Sequence, residues 1–257
     1  MFTIEGYTIR TFAEQDDYAE HRRILEAAWS PFMMEDSVAN AYFDALYDEL
    51  PAFQFLMYEP TGVVVATANS VPLHWDGTVE SLSPQGWDHV LVQGLGDHRA
   101  GRRLNTVSAL AIAVDPARLG SGLSTVMVRA MRRLAAEHGA GHLIAPVRPN
   151  FKARYPLTPI ERYITWCHTD GESPFDPWMR VHWRLGATIA KACPESMRIP
   201  GTVAQWEAWA GMRFPETDMY IVPGALAPVT IDREADSGLY VEPNVWMIHP
   251  LESTSNA

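Results

Sequence analysis

Residues Leu104–Val114 read LNTVSALAIAV, and Asp115–Gly139 continue as DPARLGSGLSTVMVRAMRRLAAEHG. The first stretch is long, apolar and partly β-branched, which predicts a strand. The second passes through Asp115-Pro116 into a glycine-containing turn. Leu123, Met127, Ala130, Met131, Leu134 and Ala135 then recur at helical spacing, with Arg129, Arg132, Arg133 and Glu137 on the other face. Gly139 ends that helix. His142–Val147 (HLIAPV) is again strand-like, and strand, helix and strand in this order predict a parallel pair joined by a right-handed crossover.

Upstream, Tyr7–Phe12 alternates as a short strand. Gln15–Trp29 and Asp36–Leu50 read as amphipathic helices, the second opening on an Asp-Ser capping signal. Phe53–Tyr58 and Val63–Leu73, separated by Glu-Pro-Thr-Gly, form a hairpin signal. Trp75–Arg103 is richer in Gly, Asp and His, with a short helix expected after Pro84, and reads as an insertion. Downstream, Thr158–Trp166, Trp178–Leu185 and Thr202–Trp209 are helical. Leu226–Ile231 and Gly238–Met247 are late strands able to pair as an edge hairpin, and the terminal Ser-Thr-Ser-Asn-Ala reads as a frayed tail. The absence of a repeat or low-complexity tract favours one domain over residues 1–250, with insertions at about 75–103 and 151–177 and a flexible tail at 251–257.

The chain has 257 residues and a formal charge of −11, with scattered basic residues. This balance argues against a nucleic-acid surface and supplies no polybasic membrane patch. Two cysteines, Cys167 and Cys193, are too few for a disulfide framework or a thiolate metal site. The amino terminus lacks the basic and apolar segments of a signal peptide, and no apolar run is long enough to span a bilayer. A cytoplasmic protein without metal, membrane or nucleic-acid partner is expected.

The chemistry concentrates at Arg118-Leu119-Gly120-Ser121-Gly122-Leu123-Ser124. A sharp strand-to-helix turn gathers backbone N–H donors and the positive end of a helix dipole at one point, which suits a phosphate. Glycines also serve tight turns for steric reasons alone. A Walker loop would need Gly-Lys-Ser/Thr, and a dinucleotide fingerprint would need a further Gly where Thr125 stands; neither is present.

From Gly120 onward this segment resembles the phosphate-binding signature of the GNAT acetyltransferase family, with Leu119 at the usually basic position and Arg118 one step earlier. The order of elements resembles the family through about Ala187. The resemblance implies an α/β (α+β) fold with a mixed, largely antiparallel sheet, splayed at its central parallel pair and flanked by helices on both faces. It further implies acetyl-CoA or another acyl-CoA as co-substrate, its pyrophosphate on residues 119–124 and its pantetheine arm along the backbone of Ile112, Ala113 and Val114. Asn150 stands at the offset of a family asparagine that contacts the cofactor, although Pro-Asn is also common in plain turns.

Many family members carry Tyr, three residues, Gly and an aromatic, the tyrosine protonating the departing thiolate. Here His182 holds the tyrosine place before Gly186. Because histidine titrates near neutrality, its imidazolium is the expected general acid, with Tyr155 and Tyr163 as substitutes. The strand at Leu104–Val114 contains no carboxylate; Ser108 is the candidate relay to a base, and His74, Asp76 or Glu161 could approach from neighbouring segments.

The expected reaction is direct attack of a small amine on the thioester. The alternative is an acyl-CoA-binding sensor of the same fold without turnover. Residues 75–103 and 151–177 are expected to border the acceptor site, with Lys152 and Arg154 favouring an acidic acceptor. Gly238–Met247, as an exposed edge, could form a homodimer.

Overall fold

A computed structural model describes residues 1–251; the expected tail lies, except for Leu251, outside the described residues. The chain opens with β1 (Phe2–Ile4) and β2 (Tyr7–Thr11), followed by helices α1 (Tyr18–Ala28), α2 (Ser37–Tyr42) and α3 (Ala45–Glu49). The expected single helix at 36–50 is therefore two short ones. Asp36 caps the first by accepting from the Ala39 N–H, and the helix breaks at Phe43-Asp44.

The predicted hairpin is β3 (Gln54–Tyr58) and β4 (Val64–Leu73), and all ten residues of β4 are buried. Next comes α4 (Gly86–Arg99), much longer than the short helix expected after Pro84. Trp87, Val90, Leu91 and Leu95 pack it into the largest core cluster. Burying each of these side chains contributes roughly 1.5–3 kcal/mol. Gly94 is required there by space, because a Cβ would lie 2.3 Å from Val71 Cγ2 and 2.9 Å from the Pro72 carbonyl.

The deciding stretch forms β5 (Thr106–Val114), a short 3-10 turn at Pro116–Arg118, α5 (Leu123–Glu137) and β6 (His142–Val147). α5 buries the predicted apolar face against β5 and its neighbours. The remainder comprises α6 (Ile160–Tyr163), α7 (Pro177–Arg184), β7 (Thr188–Gly201), α8 (Val203–Ala210), β8 (Asp218–Tyr220), β9 (Val229–Asp232) and β10 (Ser237–Pro250). α8 carries a complete capping box between Thr202 and Gln205.

These strands make one ten-stranded sheet in the order β1-β2-β3-β4-β5-β6-β10-β9-β8, with β7 paired to β10. Every pairing is antiparallel except β5 with β6. The mixed, largely antiparallel sheet with one central parallel pair is the expected one.

One expectation about its edge fails. β10 bonds to β6 at one end, to β9 at the other and to β7 along most of its length. Val245, Trp246 and Met247 are fully buried, so Gly238–Met247 is an interior strand and offers no free edge to a second copy. Among the described residues, no helix is long and apolar enough to cross a membrane.

Candidate active site

The parallel pair defines the site. Thr106, Val107 and Ser108 pair with His142, Leu143 and Ile144, and the ladder stops there. β5 stays bonded to β4 as far as Val114 while β6 continues along β10 to Val147, so the strands splay into a wedge between Ala109–Val114 and Ala145–Val147. A cleft of about 960 Å³ occupies this wedge, large enough for a sizeable ligand. One wall is β5, including Ile112, Ala113 and Val114. At one end lie Arg118, Leu119, Gly120, Gly122, Leu123 and Ser124, and across the cleft stand Asn150, Trp178 and His182.

The glycine loop is built for close approach. Gly120 and Gly122 sit at φ +81° and +83°, a region that costs other residues roughly 1–2 kcal/mol, and a Cβ at either would meet nothing within 4 Å. Gly122 is the N-cap of α5; the Thr125 N–H turns back onto its carbonyl at 3.0 Å, so the first-turn donors left at the positive dipole end are those of Leu123 and Ser124.

The side chains of the loop contribute less than the backbone. Arg118 is 43% exposed and bonds Glu59 through Nε at 2.8 Å, so its charge is already matched. Ser121 turns its Oγ back onto the Arg118 carbonyl and does not line the cleft, and Leu119 is 71% exposed. The open edge of β5 and these unpaired donors fit the pantetheine and pyrophosphate of an acyl-CoA, which supplies an activated acyl group.

Asp176 fixes the opposite wall. Its carboxylate accepts from the backbone N–H of Asn150 at 3.2 Å and of Phe151 at 2.7 Å, from Tyr163 Oη at 2.8 Å, and from Trp178 N–H, where it caps α7. One buried carboxylate thus ties the turn after β6 to the helix carrying His182. Tyr163 is spent in this role and lies outside the cleft, as do Tyr155, Ser108, His74, Asp76 and Glu161. Ser108 is fully buried and donates to the Ala109 carbonyl at 3.3 Å, so it does not relay protons from the cleft.

His182 is on the cleft wall but in an unexpected state. It is buried, Trp178 meets it edge-on at 4.5 Å, and its Nδ1 lies 2.8 Å from His249 Nε2. Burial first, then the neighbouring His249, hold its pKa well below the usual histidine range. The resting form is therefore neutral, not the imidazolium the motif suggested.

Other residues enter the cleft without a sequence signal. α1, the following turn and α2 supply Tyr18, His21, Glu26, Trp29, Met33 and Asn40, with Asp44 just beyond. β10 supplies Glu242 and Asn244, opposite Arg148. Glu242 is fully buried, its Oε1 is 2.5 Å from Arg148 Nε, and it accepts from Tyr240 Oη.

The two segments expected to border the acceptor contribute only Trp87. Lys152 is buried and donates to the Leu226 carbonyl at 2.6 Å and the Tyr155 carbonyl at 3.0 Å, while Arg154 stacks on Phe151. Neither reaches the cleft, so the argument for an acidic acceptor falls.

No family model matches the chain. It is 31% identical to the arginine N-acetyltransferase avaD of Aspergillus versicolor, across 96% of this chain and 94% of that protein. Among solved structures it resembles the loading GNATL domain of CurA from Lyngbya majuscula, with a TM-score of 0.60 at 18% identity over 95% of this chain and 97% of that one. It also resembles the GphF GNAT-like decarboxylase in complex with isobutyryl-CoA, with a TM-score of 0.55 at 14% identity over 96% and 99%. Those two likenesses concern the fold, whereas the near full-length relative and the splayed parallel pair lead to one assignment: the chain belongs to the GNAT N-acetyltransferase superfamily.

Proposed function

We propose that this acyl-CoA-dependent N-acyltransferase moves an acetyl group from acetyl-CoA to a nitrogen of arginine or of a small arginine-like amine. The observation that carries the reading is the continuity of the cleft, which runs from the glycine loop along the open edge of β5 to the paired charges of Arg148 and Glu242. The likeness to an arginine N-acetyltransferase supports the same acceptor.

Each part of the chain has a task in this reading. Backbone N–H groups at Gly120–Ser124 hold the pyrophosphate. The β5 edge at Ile112, Ala113 and Val114 bonds the pantetheine arm, and Asn150 contacts the cofactor from the opposite wall. Arg148 and Glu242 stand side by side as cation and anion, complementary to the carboxylate and cation of an amino acid. Glu26 and Asp44 at the α1–α2 wall attract a positively charged acceptor. Holding amine and acyl group in one cleft supplies much of the rate. The reaction is assigned to the cytoplasm.

The test is CoA release from acetyl-CoA, with the product identified by mass spectrometry, using arginine, its decarboxylated analogue, lysine and a polyamine as acceptors. Arginine is expected to turn over best, and its decarboxylated analogue to show a raised KM because it lacks the carboxylate that the Arg148–Glu242 pair would meet. Absence of amine-dependent CoA release with every acceptor would overturn the reading.

A further inference from the structure

The wedge closes at one place. Ser108 and Ile144 are the last paired residues of β5 and β6, and Ala109 and Ala145, just past them, line the cleft with small side chains. The next residue of β5 is a bulge: Asn69 of β4 pairs with Ala111 and Ser70 with Ala109, which leaves Leu110 as an extra residue. A bulge bends its strand and interrupts the ladder. The Leu110 carbonyl accepts from the indole Nε1–H of Trp87, on α4, at 2.8 Å.

Trp87 is held at both ends. Its backbone N–H donates to Ser196 Oγ on β7 at 3.0 Å, and Ser196 Oγ lies 2.8 Å from the Asn244 side-chain amide on β10. Gly86, the residue before it, sits so close to β7 that a Cβ there would lie 2.3 Å from Cys193 Sγ and 2.5 Å from Ser196 Oγ. Phe43 lies nearly parallel to the indole, with 19° between the ring planes and centroids 6.1 Å apart. Trp87 is 8% exposed and lines the cleft together with Phe43, Leu110 and Met197. An indole with its one donor engaged and its main chain anchored does not swing aside cheaply, because the movement strands a buried N–H and a buried carbonyl.

The position of this ring decides what an acyl group meets. With the pyrophosphate at residues 119–124, a pantetheine arm along β5 runs from Val114 back toward Ala109, five residue steps or roughly 17 Å. Beyond that point the pairing of β5 with β6 closes the way, so the sulfur end arrives beside Ala109 and Leu110. We infer that Trp87 is the specificity-determining end wall of the acyl subsite, which admits an acetyl group and turns away longer straight-chain acyl groups. The inference rests on the acyl-CoA part of the proposed function, which places the arm, and not on arginine as the acceptor.

The experiment is isothermal titration of CoA, acetyl-CoA and butyryl-CoA into full-length wild type and Trp87→Leu, alongside kcat/KM for both thioesters with arginine as acceptor. A methylene too many in a rigid apolar site costs roughly 10–200-fold, so wild type is expected to prefer acetyl-CoA over butyryl-CoA by at least about 10-fold. In Trp87→Leu that preference should vanish or reverse. A tryptophan with only a structural role would weaken both thioesters alike and leave their ratio where it was. Trp87→Phe keeps an aromatic ring beside Phe43 and loses the bond to Leu110. It should give an intermediate ratio, and it carries the test if the leucine variant does not fold.

Wild type that binds and uses butyryl-CoA as well as acetyl-CoA, or a ratio unmoved in the variants, would overturn the inference. If no amine is acetylated while the titrations keep the acetyl preference and its loss in the variants, the proposed acceptor fails and the end wall stands. If arginine is acetylated and both thioesters serve equally, the end wall fails and the acceptor stands.

Discussion

Two buried histidines line the same cleft and differ in what their hydrogen bonds leave over. His21 is fully spent: Asn69 donates to Tyr47 Oη at 2.7 Å, Tyr47 Oη lies 2.5 Å from His21 Nε2, and His21 Nδ1 lies 2.7 Å from Thr67 Oγ1. Because Tyr47 accepts from Asn69, it donates to His21, whose hydrogen then points at Thr67. His182 and His249 instead share one bond and keep two nitrogens unpartnered among the described residues. Burial depresses proton affinity in both places, to about 4 for His21. Burial alone therefore does not mark a catalytic histidine.

The largest expected effect is His182→Phe, which keeps the ring volume and removes both ring nitrogens. We expect kcat to fall roughly 10²–10³-fold, with acetyl-CoA affinity measured by titration little changed. A variant within a few fold of wild type would make the two histidines equivalent and break the comparison. At the other site, Tyr47→Phe should do the reverse. It leaves Asn69 and His21 each short of a partner, so urea unfolding should show a loss of about 1–3 kcal/mol while kcat holds within a few fold.

A third buried group sharpens the comparison through pH. Burial, followed by repulsion from Asp36, raises Asp88 to about 8, whereas His21 and His249 are both held near 4 by burial. Between pH 4 and 6.5 the unfolded chain binds protons that these buried histidines refuse, so their contribution to stability grows with pH. Asp88 acts oppositely, because the folded state keeps a proton that the unfolded state has lost. Its contribution is complete below about pH 4 and is lost as pH rises to about 8. Stability should therefore pass through a maximum near pH 6.5, and Asp88→Asn should flatten the alkaline limb. A limb that persists in that variant would place its origin elsewhere.

The smallest effect is expected at Arg118→Gln. Its pairing with Glu59 is exposed and worth little, so acetyl-CoA affinity should drop by no more than a few fold in titration. A loss of two orders would move phosphate recognition from the backbone to this side chain.

What was legible in the sequence follows the range of the interactions. Local periodicity and glycine placement specify β5, the loop, α5 and β6, and these adjoin in sequence. Their splay was implied by the family resemblance alone, since nothing in LNTVSALAIAV says where the ladder to β6 stops. β7 went unseen because Pro194, Pro200 and interspersed charges mask its alternation; it exists because β10 supplies its ladder. The α1–α2 wall and Glu242 reach the cleft, and His249 reaches His182, only through tertiary packing, and no spacing rule links His182 to a ring 67 residues away.

The motif located His182 but not its protonation state, which burial sets. Ser108 shows the converse, a suitable residue on the right strand that faces the core.

The central claim is that acyl-CoA binds in the wedge between β5 and β6 with its phosphates on the glycine loop. Isothermal titration of acetyl-CoA into wild type, His182→Phe and Gly122→Trp tests it most directly. Binding retained in His182→Phe and lost in Gly122→Trp, whose side chain would strain φ +83° and fill the loop, is the predicted result. Equal binding by Gly122→Trp and wild type, or no binding by wild type, would contradict it.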